Sequence, residues 1–350
     1  MSTNNTMEDA MKENISAFVL SASLILAGYA AYRVTSRNSK SSLHKKIKGK
    51  TYVIIGASSG FGKGIAEKVG SYGANVVLAA RRTELLEEIA ANIRASGGNA
   101  QVVTSDISQA ELVQYIADTA IEVFGSVDVW VNCTGVGIIS RFWDAPLEDY
   151  SRLVDVNLKG IIYGSYAAVN LFRSQGYGTL INFGSIDSET PLAYQSVYSA
   201  SKAGVRSLGD SLNQELRLDG YENIKVITIE PWAVDTPWWG HAANYSGGTP
   251  RMWPMNDPQL VIDAVIKASV ARPQELPVGW LAKSSYLFHH LFPHLWERLS
   301  ADVNHHYQIT TAPPARATTG ALYEPMATGT EIEGGVRERM KREREERKEG

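Results

Sequence analysis

The sequence predicts an α/β fold with a doubly wound parallel sheet of about seven strands, preceded by an N-terminal transmembrane helix. Two observations predict the sheet. Apolar strand-like runs alternate with helix-like stretches between Thr51 and Gly279, and these runs stay apolar throughout, as in strands buried on both faces. A third observation, the uncharged run over residues 15–32, predicts the membrane helix. The predicted strands are 51–55, 75–80, 100–104, 127–132, 179–184, 224–230 and 276–279.

The first predicted strand is followed by a glycine-rich loop. The run Gly56-Ala57-Ser58-Ser59-Gly60-Phe61-Gly62 lies between this strand and a predicted helix over 63–72. Glycines in this position permit a tight turn and let the backbone approach a phosphate at the helix N-terminus. The spacing is Gly-x-x-x-Gly-x-Gly, and an ordinary strand-to-helix turn is the alternative interpretation.

The other predicted strands also end in residues that can serve a site. Asp106, Asn132, Ser185 and Pro231 each come directly after or at the end of a predicted strand. Because the carboxyl ends of parallel strands meet at one edge, where such sheets bind ligands, we expect these residues to lie close together.

Tyr198 and Lys202 form the second informative motif. They are four residues apart in a segment predicted to be helical through Leu218, so their side chains share one helix face. An ammonium beside a phenol favours the phenolate and lowers the pKa of the hydroxyl. We therefore expect Tyr198 to exchange a proton near neutral pH. Taken alone, the pair is equally compatible with an exposed helix face.

As an ordered set, these motifs resemble the short-chain dehydrogenase/reductase family over about residues 48–280. The resemblance implies a Rossmann-like fold, hydride transfer between a nicotinamide cofactor and a carbonyl carbon, and a homo-oligomer. It implies the catalytic residues Asn157, Ser185, Tyr198 and Lys202. The implied cofactor-binding residues are Gly56, Ser58, Ser59, Gly60, Phe61, Gly62, Arg81, Arg82, Asp106, Ile107, Asn132, Tyr198, Lys202, Pro231, Val234 and Thr236.

The resemblance also implies a role for each catalytic residue. Tyr198 exchanges a proton with the substrate oxygen, Ser185 hydrogen-bonds that oxygen, and Lys202 holds the nicotinamide ribose. Asn157 supports a proton relay through a water, unless it merely bonds the backbone. Two departures stand out: Cys133-Thr134 replaces the family's usual Asn-Ala, and Trp232 replaces the glycine that usually follows Pro231.

Arg81 and Arg82 indicate the cofactor. They follow the second predicted strand, where an NAD enzyme usually places an acidic residue for the ribose hydroxyl. Arginine instead attracts a 2′-phosphate through charge-assisted hydrogen bonds. NADP(H) is the predicted cofactor, and the alternative is that the arginines merely begin the next helix.

The resemblance implies that the segment from 232 to 253 covers the substrate, and this segment contains five aromatic residues. Such a composition suits an apolar carbonyl or alcohol substrate and equally suits a membrane interface. Two other functions remain open, namely a cofactor-binding interaction protein with low turnover and an epimerase or dehydratase acting on nucleotide sugars. The aromatic residues are Trp232, Trp238, Trp239, Tyr245 and Trp253.

The amino-terminal part predicts a single-pass membrane protein. Residues 1–14 form an extension, residues 15–32 an anchor of about spanning length, and residues 33–48 a basic linker. A cleaved signal peptide would carry positive charge before the apolar run, and a buried domain helix is the other alternative. Because the positive charges follow the run, the positive-inside rule places the catalytic domain in the cytoplasm.

The remaining chain divides into three predicted parts. These are an oxidoreductase domain over 49–282, an aromatic helical segment over 283–310 broken at Pro293, and a poorly ordered charged tail over 311–350. The net charge of -3 gives no electrostatic case for nucleic-acid binding. Cys133 is the only cysteine, so no intrachain disulfide forms, and no metal site is predicted.

Overall fold

The structure is a computed structural model that describes residues 42–349. Two units are distinguished, Met1–Lys46 and Ile47–Gly350, and in the first of them the described residues 42–46 are helical. The predicted extension, the anchor at 15–32 and most of the basic linker lie outside the described residues. Over 42–349, no helix has both the length and the apolar character needed to cross a bilayer.

The central sheet contains seven parallel strands in the order β3-β2-β1-β4-β6-β7-β9, and β5 and β8 form a separate parallel pair. The prediction of a parallel sheet is confirmed, and the predicted strand ends shift by a residue or two. The strands are β1 Thr51–Ile55, β2 Asn75–Ala80, β3 Asn99–Thr104, β4 Val129–Asn132, β5 Ile138–Ile139, β6 Gly178–Phe183, β7 Ile224–Pro231, β8 Ala243–Asn244 and β9 Glu275–Val278.

Helices cover both faces of the sheet. Alternate side chains of β1 point to opposite faces, so Tyr52 and Ile54 join one apolar cluster while Val53 and Ile55 join the other. Helices α1, α2 and α8 contribute to the first cluster, and α3, α5 and α6 contribute to the second. The helices are α1 Gly60–Ser71, α2 Thr83–Ala95, α3 Ala110–Phe124, α4 Leu147–Val154, α5 Gly160–Gln175, α6 Ser196–Leu218, α7 Trp238–His241, α8 Pro258–Ala271, α9 Gly279–Leu291, α10 Pro293–His305 and α11 Val336–Glu349.

The order of the strands positions a crevice. β1 pairs with β2 on one side and with β4 on the other, so the chain changes its direction of winding between β1 and β4. At such a switch point the connections leave the sheet toward opposite faces, and a crevice opens at the carboxyl ends of the strands.

The aromatic segment forms a helical hairpin, as its sequence predicts. α9 ends at Leu291 and α10 begins at Pro293, where proline suits the first turn because its missing N–H has no helical partner there. The rings of Phe288 and Trp296 pack across the hairpin with their centroids 5.8 Å apart.

The C-terminal tail departs from the prediction of poor order. Residues 312–335, which we call the strap, cross the carboxyl end of the sheet, and Leu322 within the strap is fully buried. α11 then follows, and both carboxylate oxygens of Glu343 accept hydrogen bonds from the buried Arg251. Arginine side chains hold the strap through its backbone carbonyls. Such contacts do not require periodic apolar residues, so they leave no pattern in the sequence.

Candidate active site

The glycine loop lines a cleft at the carboxyl ends of β1, β4, β6 and β7. Gly56 has a φ of +91°, and a Cβ at this position would lie 2.8 Å from Thr134 Oγ1. A Cβ on Gly62 would lie 2.1 Å from the carbonyl oxygen of Gly56. Side chains are thus excluded at both positions, so no Cβ of Gly56 or Gly62 obstructs the approach of a phosphate to the loop.

The structure brings most of the predicted site residues together. Besides the glycine loop, the cleft is lined by Arg81, Arg82, Asp106, Ile107, Ser185, Tyr198, Lys202, Pro231, Val234 and Thr236. Tyr198 and Lys202 lie on α6, and the other residues lie at or after the carboxyl ends of separate strands, as the positions of the predicted strands required.

Two predicted residues do not line the cleft. Asn132 is fully buried, where it donates to Asn182 Oδ1 at 2.8 Å and accepts from the indole of Trp130. Asn157 is also fully buried, and its amide both donates to and accepts from the backbone of Val136. These amides hold neighbouring backbone and side chains in place, and the cofactor-binding role of Asn132 stays a prediction.

The position of Asn157 has a local structural cause. It lies in a π-helical turn, Asp155–Lys159, between α4 and α5. This turn lets its amide meet the Val136 backbone, with hydrogen bonds of 2.8 Å in both directions. The alternative interpretation, a polar residue that bonds backbone, describes the observed contacts.

Tyr198 and Lys202 lie on one face of α6, and Lys202 is buried. The Lys202 ammonium donates to the carbonyl oxygen of Phe183 at 2.7 Å and lies 5.7 Å from the centroid of the Tyr198 ring. The Trp238 ring packs against the Tyr198 ring, with their centroids 5.2 Å apart.

The electrostatics of this pair differ from the sequence-based expectation. Burial raises the pKa of Tyr198, and the carboxylate of Asp187 raises it further, while a hydrogen bond with Ser185 lowers it. Burial also lowers the pKa of Lys202 to about 8, partly offset by Cys133 and Asp187. The effect of burial therefore prevails, and the Tyr198 pKa is raised in the folded protein where the sequence predicted that it would be lowered.

Asp187 is a site residue that sequence reasoning missed. It lines the cleft, is almost fully buried, and accepts hydrogen bonds from the hydroxyls of Ser185 at 3.3 Å and Ser199 at 3.0 Å. Burial raises its pKa to about 7, although both serine hydroxyls and Lys202 favour the ionised form. Its place two residues after Ser185, in a short 3₁₀ turn, was the available signal.

Arg81 and Arg82 are half-buried beside the glycine loop. Arg82 donates to the hydroxyls of Ser58 and Ser59, at 2.9 and 2.7 Å from Nη2. Burial lowers the pKa of both guanidiniums, and the charge of Arg81 lowers that of Arg82 further. Among residues 42–349 neither guanidinium forms an ion pair, since the nearby Asp106 is paired with Arg152 at 2.7 Å.

The strap covers these arginines, and sequence reasoning did not predict these contacts. Arg81 donates to the carbonyl oxygens of Tyr323 at 2.8 Å and Ala321 at 2.9 Å. The backbone N–H of Gly60 donates to the carbonyl oxygen of Glu331 at 2.9 Å. Strap residues therefore form the outer wall of the glycine-loop end of the cleft.

One cluster outside the cleft resembles a set of metal ligands. Glu189, His289 and His290 bring their ligand atoms within 4.8 Å of one another. Arg206 forms an ion pair with Glu189, so a metal ion would compete with a guanidinium for the same carboxylate. We assign no metal to this cluster.

The fold and the cleft define a class of protein, the oxidoreductases built on a dinucleotide-binding sheet. The family model for short chain dehydrogenases matches residues 50–244. The chain belongs to the short-chain dehydrogenase/reductase family.

Two relatives are similar in sequence. An uncharacterised oxidoreductase of Bacillus subtilis, YxnA, is 34% identical over 283 residues, which cover 80% of this chain and 79% of that protein. The 3beta-hydroxysteroid dehydrogenase 1 of Eggerthella lenta is 36% identical over 197 residues, which cover 56% of this chain and 74% of that protein.

Solved structures are similar in fold. A short-chain dehydrogenase/reductase of Burkholderia phymatum in complex with NAD has a TM-score of 0.64 at 24% identity, covering 71% of this chain and 95% of its own. An alcohol dehydrogenase of Thermococcus sibiricus complexed with 5-hydroxy-NADP has a TM-score of 0.56 at 27% identity, and the match covers 66% of this chain and 96% of that protein.

The raised pKa of Asp187 predicts how stability depends on pH. Its pKa of about 7 in the folded protein lies above the ordinary 3.8, so the stabilisation it provides is complete below pH 3.8 and is lost as the pH rises through about 7. Asp187→Asn removes the buried charge. We expect the melting temperature of the variant, relative to the parent, to be roughly 5 °C higher at about pH 8 than at about pH 5.

The control for this measurement is Asp219→Asn, at the exposed C-terminal end of α6. Its melting-temperature difference from the parent should stay constant between the two pH values. A constant difference for Asp187→Asn as well would contradict the burial of a carboxyl that ionises near neutral pH.

Proposed function

We propose that the protein transfers a hydride between NADP(H) and the carbonyl or secondary alcohol of an apolar small molecule. The observation that carries this proposal is the convergence of Ser185, Tyr198 and Lys202 on the cleft that also contains the glycine loop. When bound, the nicotinamide supplies or accepts the hydride. The glycine loop, Arg81 and Arg82 would hold the cofactor's phosphates.

The protein's own residues handle the proton. In the reducing direction Tyr198 gives its hydroxyl proton to the carbonyl oxygen as the hydride reaches the carbonyl carbon, and the tyrosinate regains a proton from solvent. The raised pKa of Tyr198 keeps it protonated before the reaction, which favours its role as the acid. Ser185 positions the substrate oxygen beside Tyr198, and Lys202 stabilises the tyrosinate that forms.

The arginine pair supports NADP(H) over NAD(H). Two adjacent half-buried cations without a carboxylate partner among the described residues favour an anion between or beside them. Ser58 and Ser59 add hydroxyl groups at the same place. The 2′-phosphate of NADP(H) has the charge and the acceptor oxygens that suit this arrangement.

An apolar substrate is supported by the residues around Tyr198. Trp232, Trp238, Trp239 and Met252 line the cleft on the side of the catalytic residues. Pockets with this composition bind apolar ligands and use a few polar groups for orientation. The relative from Eggerthella lenta is named for a hydroxysteroid, which is an apolar secondary alcohol.

The Tyr198→Phe variant tests the role of Tyr198 as the general acid. Because the variant lacks the hydroxyl proton, we expect NADPH-dependent reduction of a panel of apolar aldehydes and ketones to fall by about 100-fold or more, with NADPH affinity nearly unchanged. Tyr194→Phe is the matched control, since the Tyr194 hydroxyl bonds His305 and does not line the cleft. Turnover within a few-fold of the parent in Tyr198→Phe would remove Tyr198 from the mechanism.

The cofactor assignment predicts a change in affinity ratio. Arg82→Gln should weaken NADPH binding by about tenfold or more, since a charge-assisted bond to phosphate contributes about 1.5–3 kcal/mol, while NADH binding changes little. Titration of intrinsic fluorescence with both cofactors measures the ratio. Arg173→Gln is the control, because Arg173 packs on the Tyr221 ring outside the cleft. Equal affinity of the parent for NADH and NADPH contradicts the assignment.

Residues 15–32 are proposed to anchor the protein with its catalytic domain in the cytoplasm. The support is the uncharged run followed by seven positive residues between Arg33 and Lys50. The full chain should remain in the membrane pellet after a carbonate wash, and protein beginning at Leu43 should not. Release of the full chain by carbonate contradicts the anchor, and digestion of the domain by protease outside sealed cells contradicts the orientation.

A further inference from the structure

A second cavity lies behind the catalytic cleft. Its volume is about 360 Å³, and its walls come from the hairpin of α9 and α10, from residues 252–254, and from Tyr307. This volume is within the range of about 300–1,000 Å³ that is typical of small-molecule sites. At the ~30 Å³ that a water occupies in the liquid, it has room for on the order of ten methylene-sized groups.

The walls of this cavity are apolar. They include Leu281, Phe288 and Trp296, and no charged side chain of residues 42–349 lines the cavity. Two of its polar side chains bond backbone, since Ser284 donates to the Leu281 carbonyl and Asn304 donates to the Ala193 carbonyl, whereas the buried indole N–H of Trp296 has no partner among the described residues. A ligand here would therefore gain free energy from burial of apolar surface and little from hydrogen bonding.

The inner wall of the cavity is shared with the catalytic cleft. Trp232 and Met252 line both spaces. The Trp232 indole is fixed by a hydrogen bond of 2.8 Å to the Pro254 carbonyl. Met252 has a flexible thioether side chain, which changes rotamer at low cost and is suited to opening a passage between the two spaces.

The outer wall of the cavity is open to solvent. Leu299 and Val303 line the cavity and yet are 46% and 45% exposed. Beside them the hairpin exposes Leu291, Phe292 and Leu295. An apolar molecule thus meets an apolar entrance before it reaches the inner wall.

We propose that this cavity binds an apolar chain of the substrate, attached to the carbonyl group that lies at Tyr198. The substrate class is a long-chain aldehyde, ketone or secondary alcohol, with the chain passing Met252 between Trp232 and the hairpin. This inference rests on the proposed oxidoreductase function and adds the shape of the substrate to it.

The test uses two matched variants of α10 in the full-length protein. Leu299→Glu puts a carboxylate on the cavity wall, and Leu295→Glu puts one a turn earlier at a residue that is 49% exposed and does not line the cavity. NADPH-dependent reduction is measured over a series of unbranched aldehydes from butanal to decanal. The readout is the ratio of kcat/KM for decanal to that for butanal.

In the parent and in Leu295→Glu, we expect kcat/KM to rise along the series by up to about fourfold per methylene. In Leu299→Glu the decanal-to-butanal ratio should fall by about tenfold or more, because a charged wall opposes burial of the chain. A ratio that is the same in all three proteins, or the absence of a rise in the parent, overturns the proposal.

A binding measurement separates this inference from the proposed function. Fluorescence titration with 11-(dansylamino)undecanoic acid reports occupancy of the cavity even if no aldehyde is reduced. Binding to the parent and to Leu295→Glu, weakened about tenfold in Leu299→Glu, supports the cavity without turnover. Equal binding by all three proteins overturns it. Dissociation of an oligomer in both variants, with unchanged probe binding, would instead assign this face to contact between two copies.

Discussion

The hydrogen bond from Lys202 to the carbonyl oxygen of Phe183 is the interaction on which the site depends. It fixes a buried ammonium of α6 at the carboxyl end of β6, so the helix that carries Tyr198 is held against the strand that leads to Ser185. The helix and the strand end therefore cannot separate without leaving a buried charge unpaired, which is among the most costly changes a core can undergo. This bond thus fixes the position of α6 relative to the end of β6.

Burial gives this group its chemical character. Tyr198, Asp187 and Lys202 are each shifted toward their neutral forms, because water is excluded on one side by the sheet and on the other by Trp238. The effect of desolvation on the pKa values of Lys202 and Asp187 is larger than the effect of their mutual attraction. A site with this balance holds a proton on Tyr198, which is the form that the proposed reduction requires.

Sequence reasoning predicted the sheet, the glycine loop and the positions of Ser185, Tyr198 and Lys202, because these depend on local apolar runs and on short spacings. It did not show that the side chains of Asn132 and Asn157 are buried, since neither a strand end nor a helix position decides whether a side chain turns toward the cleft or into the core. Asp187 and the strap were missed for another reason. Their roles come from contacts between distant parts of the chain, such as Arg81 with Ala321. The local periodicity of apolar residues does not indicate such contacts.

The strap has a consequence for the order of folding. Arg81 and its acceptor on Ala321 are 240 positions apart, so the wall around the arginines closes a very long loop. Contacts of such sequence separation form late, after the sheet and its local helices have reduced the entropy of closure. We therefore expect a folding species with a complete sheet and an unfinished nucleotide cleft, in which the two guanidiniums still face water. In the finished structure the carbonyl groups of the strap take the place of that water as acceptors for Arg81.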